Sequence, residues 1–137
     1  MARLKRVAGE LGLPWGERKM SFNSRSAQEL GKWAESKGKG DEYHDAVFRA
    51  YFVDGRNIAK PDVLMGLVSA VGLPEEEARE VLRTRAFRES VDSDWALAGK
   101  MGIESVPTFV VDGRAVVGAQ PYEALEQFLL ENGVKRR

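Results

Sequence analysis

The stretch GIESVPTFVVDGRAVVGAQP, residues 102–121, decides how the chain is to be read. Upstream of it the apolar residues recur at helical spacing; here the period changes. TFVV (108–111) and AVVG (115–118) are short apolar runs joined through Asp112-Gly113, a pair suited to a tight antiparallel turn that needs positive φ at both central residues. Neither run alternates with polar residues, so the expected sheet is covered on both faces. Pro107 stands directly in front of the first run. A proline costs a strand one ladder hydrogen bond and therefore sits at a strand's first residue or on its edge. It either punctuates this strand or shapes a surface that something else uses. After the second run Pro121 opens a last helix, with Tyr122, Leu125, Phe128 and Leu129 on its inner face. A two-stranded sheet is marginal by itself, so this hairpin asks for further strands.

Working back from the hairpin, six helices are expected. Leu4, Val7, Ala8 and Leu11 form a helical stripe ending at Gly12, and the Pro/Gly-bearing LPWGERKMSF that follows is a loop. Asn23 can cap the next helix, whose stripe is Ala27, Leu30 and Ala34. GKG at 38–40 breaks it, and Asp41 can cap a third helix running through Phe52, with the wide apolar set Tyr43, Val47, Phe48, Ala50, Tyr51 and Phe52. Pro61 sits in the first turn of a fourth helix buried through Val63, Leu64, Leu67, Val68 and Val71. Pro74 starts a fifth, with three glutamates in its positive first turn. A sixth, from about 88 to 101, carries Val91, Trp95, Ala98 and Met101 inward, and Gly102 ends it.

Composition bounds the possible chemistry. The 137 residues amount to one domain's worth of chain, and 43% hydrophobic with 31% charged residues is the balance of a globular protein. Lys plus Arg and Asp plus Glu are 21 each, so no net field holds a polyanion and no nucleic-acid partner is expected. The start, MARLKRVAGELGL (1–13), has basic residues but no apolar core of signal-peptide length, and no segment approaches a membrane span, which gives the expectation of a cytoplasmic protein without a membrane partner. There is no cysteine; disulfides, thiolate metal sites and cysteine nucleophiles cannot come from these residues. His44 is the only histidine, so His-pair metal sites and a serine triad are excluded, and its place near a helix start reads as solvated or cap-packed. Glu75-Glu76-Glu77 and Asp92/Asp94 read as helix-dipole partners and a solvated face, and no metal site is expected. Trp95 reads as core, whereas Trp15 in its loop either pins that loop or meets a partner. GKGD at 38–41 lacks the preceding strand that a phosphate loop requires.

Three stretches carry a family resemblance: NSRSAQELGKWAESKG (23–38), DAVFRAYFVDGRNIAKPDVLMGLVSAVGL (45–73) and GIESVPTFVVDGRAVVGAQPYEALEQFL (102–129). In the last, helix end, VPTF, hairpin and GAQP occur in order. The sequence resembles the DsbA-type thioredoxin-like proteins, especially the FrnE-like branch, related to 2-hydroxychromene-2-carboxylate isomerases and kappa-class glutathione transferases. The resemblance implies an α/β, partial thioredoxin-like fold. Residues 1–102 would be a mostly helical insertion domain, its last helix (about 88–102) bridging to a C-terminal ββα half over 103–137. It also implies that the Val106–Pro107 peptide is cis and faces the active site. A cis proline turns the preceding residue's amide and carbonyl outward, offering one donor and one acceptor to an extended substrate. Ser105, Val106, Pro107 and Thr108 would form the substrate-binding ledge, with Asn23, Ser24 and Gln120 as further site-lining residues. Asn23 and Ser24 are equally explained as helix caps.

The family's reactive CxxC pair, or the serine of its glutathione-dependent relatives, lies on an N-terminal strand and helix that precede everything seen here. The implied function is that of a shortened DsbA-like thiol-disulfide oxidoreductase that binds a peptide or small thiol but has no catalytic residue and no cofactor of its own, with glutathione as a candidate substrate. Two other functions compete. One is a non-catalytic binding or assembly module that dimerises through exposed strand edges. The other is a glutathione-dependent isomerase or transferase in which this half orients the substrate.

Overall fold

The computed structural model describes residues 2–137. Six helices precede a hairpin and a closing helix: α1 (Ala2–Glu10), α2 (Arg25–Ser36), α3 (Gly40–Phe52), α4 (Pro61–Ala70), α5 (Glu75–Thr84), α6 (Arg88–Lys100), β1 (Thr108–Val111), β2 (Arg114–Val117) and α7 (Tyr122–Glu131). The chain divides into two compact units, Met1–Val91 and Asp92–Arg137, with the division inside α6.

The helical unit has a continuous core. Leu30 and Ala34 of α2, Tyr43 of α3, Leu64 and Val68 of α4 and Ala78 of α5 are all fully buried. α2 packs on α3 and α5, and α4 packs on α3 and α5. The close approach of α2 to α3 depends on Gly31, where an added Cβ would lie 2.9 Å from Cε1 of His44. Tyr43 donates its buried hydroxyl to the carbonyl of Ala27 at 3.0 Å. Burial without a countercharge raises its pKa, so it stays a neutral phenol. At the other end of the unit the 11–24 loop is pinned by Trp15 on Phe52, with ring centroids 5.5 Å apart. Gly16 donates its N–H to the carbonyl of Phe52 at 2.9 Å, at a spot where any Cβ would collide with the carbonyl oxygen of Val53.

Several local expectations need correcting. Asp41 does not cap α3: the helix begins at Gly40 and places Asp41 in its first turn, beside the positive end of the dipole. Leu4 and Leu11 are exposed and only Ala8 of the α1 stripe is buried. The helix forms at the expected spacing, but one short amphipathic helix here meets the fold along a single residue. In α6 only Val91 is buried; Trp95 and Met101, read as core, are more than half exposed.

In the strand unit, β1 and β2 form a two-stranded antiparallel sheet pairing Thr108 with Val117 and Val111 with Arg114. Asp112 and Gly113 both take positive φ (48° and 75°), the turn that Asp-Gly favours. The expected two-sided cover is not met: Phe109 and Val117 are exposed, and no residue of α7 is buried, Tyr122 being among its most open. Apolar strands and an amphipathic helix have formed as their patterns dictate, yet one helix is too little surface to cover both faces of a hairpin.

Candidate functional site

The segment from Ser105 to Thr108 closes into a small turn in front of β1. The Thr108 hydroxyl donates to the Ser105 carbonyl at 2.6 Å, the Val106–Pro107 peptide is cis, and the Pro107 carbonyl accepts the Gly118 N–H at 2.8 Å. This last bond adds a rung to the hairpin ladder beyond the Thr108–Val117 pair and fixes the turn to β2. Val106 is held out at the tip, 90% exposed. Among the described residues nothing engages its backbone amide or carbonyl. A tied loop that presents one free donor and one free acceptor, on a residue whose side chain covers nothing, can pair with a single residue of an extended chain. Gln120 belongs to the same end of the hairpin, its Nε2 donating to the Val117 carbonyl at 3.0 Å.

Asn23 and Ser24 lie in the helical unit. Asn23 Oδ1 accepts the Arg25 N–H at 2.8 Å and so satisfies the start of α2. Ser24, the residue preceding α2, makes no capping bond; its Oγ accepts from Gln28 Nε2 at 2.8 Å. Ser24 also lines a groove of about 350 Å³ in this unit, walled by Phe22, Phe48 and Tyr51 with Gln28 and His44 at its polar side. His44 is half-exposed, its Nε2 3.2 Å from Oε1 of Glu35, in keeping with the solvated or cap-packed role read from its position.

The most constrained charged group was not anticipated. Glu29 on α2 is buried and accepts from Arg25 Nε at 2.8 Å and from Arg85 Nη2 at 2.6 Å, while Arg25 Nη2 donates to the Arg88 carbonyl at 2.9 Å. The Arg85 hydrogen bond, with Arg25 in support, holds the Glu29 carboxyl below its usual range against the opposing effect of burial. The Arg25/Glu29 i,i+4 spacing was legible, but the partner 56 residues away was not. The carboxylate finds its donors inside the helical unit, so the cluster serves the fold.

Comparison with known proteins gives these residues a context. The family model of the DSBA-like thioredoxin domain matches residues 1–130. Among curated proteins, the uncharacterized protein YwbO of Bacillus subtilis is 29% identical over 105 residues, covering 76% of this chain and 52% of that protein. The ClpXP adapter protein SpxH of Halalkalibacterium halodurans is 27% identical over 85 residues, covering 57% of this chain and 28% of that protein. Among solved structures, a probable DsbA oxidoreductase from Streptomyces coelicolor superposes with a TM-score of 0.86 at 30% identity, covering 99% of this chain and 60% of that one. The cytosolic disulfide reductase DsbM from Pseudomonas aeruginosa gives 0.67 at 26% identity, over 96% and 75%. The chain thus spans about half, or less, of the length of the curated relatives it matches. A mostly helical chain with a small antiparallel sheet matches a DsbA/thioredoxin-like fold with a helical insertion.

Proposed function

Because the chain belongs to the DSBA-like thioredoxin domain family, we propose that it provides the substrate-binding part of a DsbA-like thiol-disulfide oxidoreductase. Ser105–Thr108 act as a ledge for an extended peptide or a small thiol such as glutathione. Thiol-disulfide exchange runs through a thiolate attacking a disulfide sulfur; these 137 residues contain no cysteine, so the reacting thiols come from elsewhere and this chain contributes position. No residue here is assigned a catalytic role. The observation that carries the reading is Val106, 90% exposed at the tip of a turn whose flanks are tied by the Thr108–Ser105 and Gly118–Pro107 hydrogen bonds. We place the chain in the FrnE-like branch on the strength of the stretches at 23–38 and 45–73, read as its helical insertion, and of 102–129, where helix end, VPTF, hairpin and GAQP occur in order. A cytosolic site of action is carried over from the Pseudomonas reductase, and among the described residues no helix is long and apolar enough to cross a membrane.

The test is a titration of isotope-labelled protein with a short extended peptide containing cysteine and, separately, with glutathione, followed through backbone amide shifts. Saturable changes centred on Ser105, Val106 and Thr108 are expected. Changes that miss these residues, or none at all, would remove the ledge. Insulin reduction by this chain alone would show that its chemistry is not supplied from outside.

A second reading, that of a binding module pairing through strand edges with another copy, is favoured by one observation: the sheet has only two strands among the described residues, so each has an unpaired side. A sedimentation mass that stays monomeric throughout the micromolar range would dismiss it.

A further inference from the structure

The two outer edges of the hairpin are chemically unlike. The register pairs Thr108 with Val117, Phe109 with Val116, Val110 with Ala115 and Val111 with Arg114, and the Gly118 N–H bonds to the Pro107 carbonyl one rung further on. Bonded and non-bonded pairs alternate along an antiparallel ladder. The bonded pairs are therefore 107 with 118, 109 with 116 and 111 with 114. Thr108 and Val110 then turn their N–H and C=O groups away from β2, and Ala115 and Val117 turn theirs away from β1.

On the β2 side the last outward carbonyl, that of Val117, is already occupied. Gln120 Nε2 donates to it at 3.0 Å, and the next residue, Pro121, has no N–H to offer. The chain is folded back for this contact by Gly118, at φ +91°, where even an added Cβ would stay 3.8 Å from the Gln120 nitrogen. Elsewhere on this edge the side chains are open: Ala115 is exposed, and Val117 is exposed by more than half. Two apolar side chains on a short strand with open rungs are self-complementary, since β2 could meet β2 of another copy antiparallel across a twofold axis. A chain with 21 charges of each sign has no net repulsion to oppose that encounter.

We propose that Gln120 is a strand-edge guard: its carboxamide closes the outer edge of β2 to a second copy of this chain and leaves β1 as the hairpin's edge for strand addition. The guard acts by saturating one carbonyl and by keeping a hydrated amide where an incoming strand would have to lie. This holds whatever the ledge at Val106 binds.

Gln120→Val removes the donor and adds an apolar β-former. Sedimentation equilibrium is expected to show self-association roughly tenfold tighter than wild type, the equivalent of about 1.4 kcal/mol. Hydrogen exchange should slow at Ala115 and Val117, and not at Thr108 and Val110. Adding Ala115→Pro deletes an outward N–H without touching the inward ladder, and should return the mass to that of wild type. Gln120→Glu also cannot donate to Val117, but brings like charges together across the twofold axis; it is expected to match the wild-type mass. Unchanged amide shifts at Phe109 and Val111 check that the hairpin register is intact in each variant. The guard is refuted if Gln120→Val sediments as wild type does, or if its association survives Ala115→Pro. Peptide binding at Val106 without any effect of Gln120→Val would refute the guard alone; the converse would remove only the ledge.

Discussion

Replacing Glu29 with glutamine tests the electrostatic argument for the helical unit. The carboxylate has 3% of its side chain exposed and receives three guanidinium N–H bonds, from Arg25 Nε at 2.8 Å and from Arg85 Nη2 and Nε at 2.6 and 3.3 Å. A glutamine side chain there would keep the volume and one acceptor oxygen. It would also turn an NH₂ group toward donors and leave two guanidinium charges facing a neutral group. Each charge-assisted hydrogen bond contributes about 1.5–3 kcal/mol, and removing one partner of a buried ion pair costs about 3–5 kcal/mol. Arg85 is half-exposed and can recover water, which lowers the expectation to about 2–4 kcal/mol. For a unit of this size that lowers Tm by roughly 10–30 °C. Urea unfolding followed through Trp33, which is 2% exposed, measures it directly. A cycle with Arg85→Met should return a coupling of about 1 kcal/mol or more.

The sign of the pH effect follows from the same contacts. Arg85 first, and then Arg25, hold the folded-state carboxyl below its ordinary value of 4.5. The stabilisation is therefore present in full above that value and lost as pH falls through the depressed folded one. Wild type should lose stability over that acid window more steeply than Glu29→Gln, and the two curves should converge at the acid end. A Glu29→Gln protein within about 0.5 kcal/mol of wild type at neutral pH, or parallel acid profiles, would refute the reasoning.

Gly16→Ala places a Cβ 1.7 Å from the Val53 carbonyl oxygen; it should cost about 2 kcal/mol or more in urea unfolding. In contrast Gly9→Ala, in α1 with nothing within 4 Å, should be neutral or stabilise by about 0.5–1 kcal/mol. Tyr43→Phe deletes the buried donor to Ala27 and should cost about 1 kcal/mol by the same measurement. The alkaline ultraviolet difference spectrum should lose no tyrosinate signal in that variant, because burial keeps Tyr43 neutral in the folded wild type.

What could be read from the sequence was what depends on neighbours in the chain. Asp112-Gly113 specifies its turn by backbone sterics alone, and Pro61 and Gly102 stand where they start and stop helices for the same reason. The Ala27–Leu30–Ala34 stripe is buried as its spacing requires. Pro107 stood out because a proline before an apolar strand is locally conspicuous, whereas the ledge role of Ser105–Thr108 came only with the family resemblance. Readings that needed to know what lies opposite fared worse. Trp95 and Met101 sit on a proper helical stripe and are exposed, since periodicity marks a face without supplying its cover. Glu29 is the reverse case. Its partner Arg85 stands at the end of α5 in a left-handed conformation (φ 53°), and nothing about an arginine at that point announces such a turn.

The two units differ in how their apolar surface is used, and this has a measurable consequence. Leu30, Leu64 and Val68 are sealed within the helical unit, so their amides should exchange only when that unit unfolds as a whole. From Asp92 onward no described residue is buried, and the hairpin is held by its ladder, its turn and the Gly118–Pro107 rung. Opening such a ladder exposes little surface that is not already exposed. Exchange at Phe109 and Val116 should therefore be nearly independent of denaturant and faster than at Leu64 by a factor on the order of a hundred or more. Equal protection in both units, falling with denaturant at one slope, would show that the hairpin opens only with the helical core and would refute the separation. A strand or extended peptide added along β1 would bury the outward rungs at Thr108 and Val110, and protection should then rise there first.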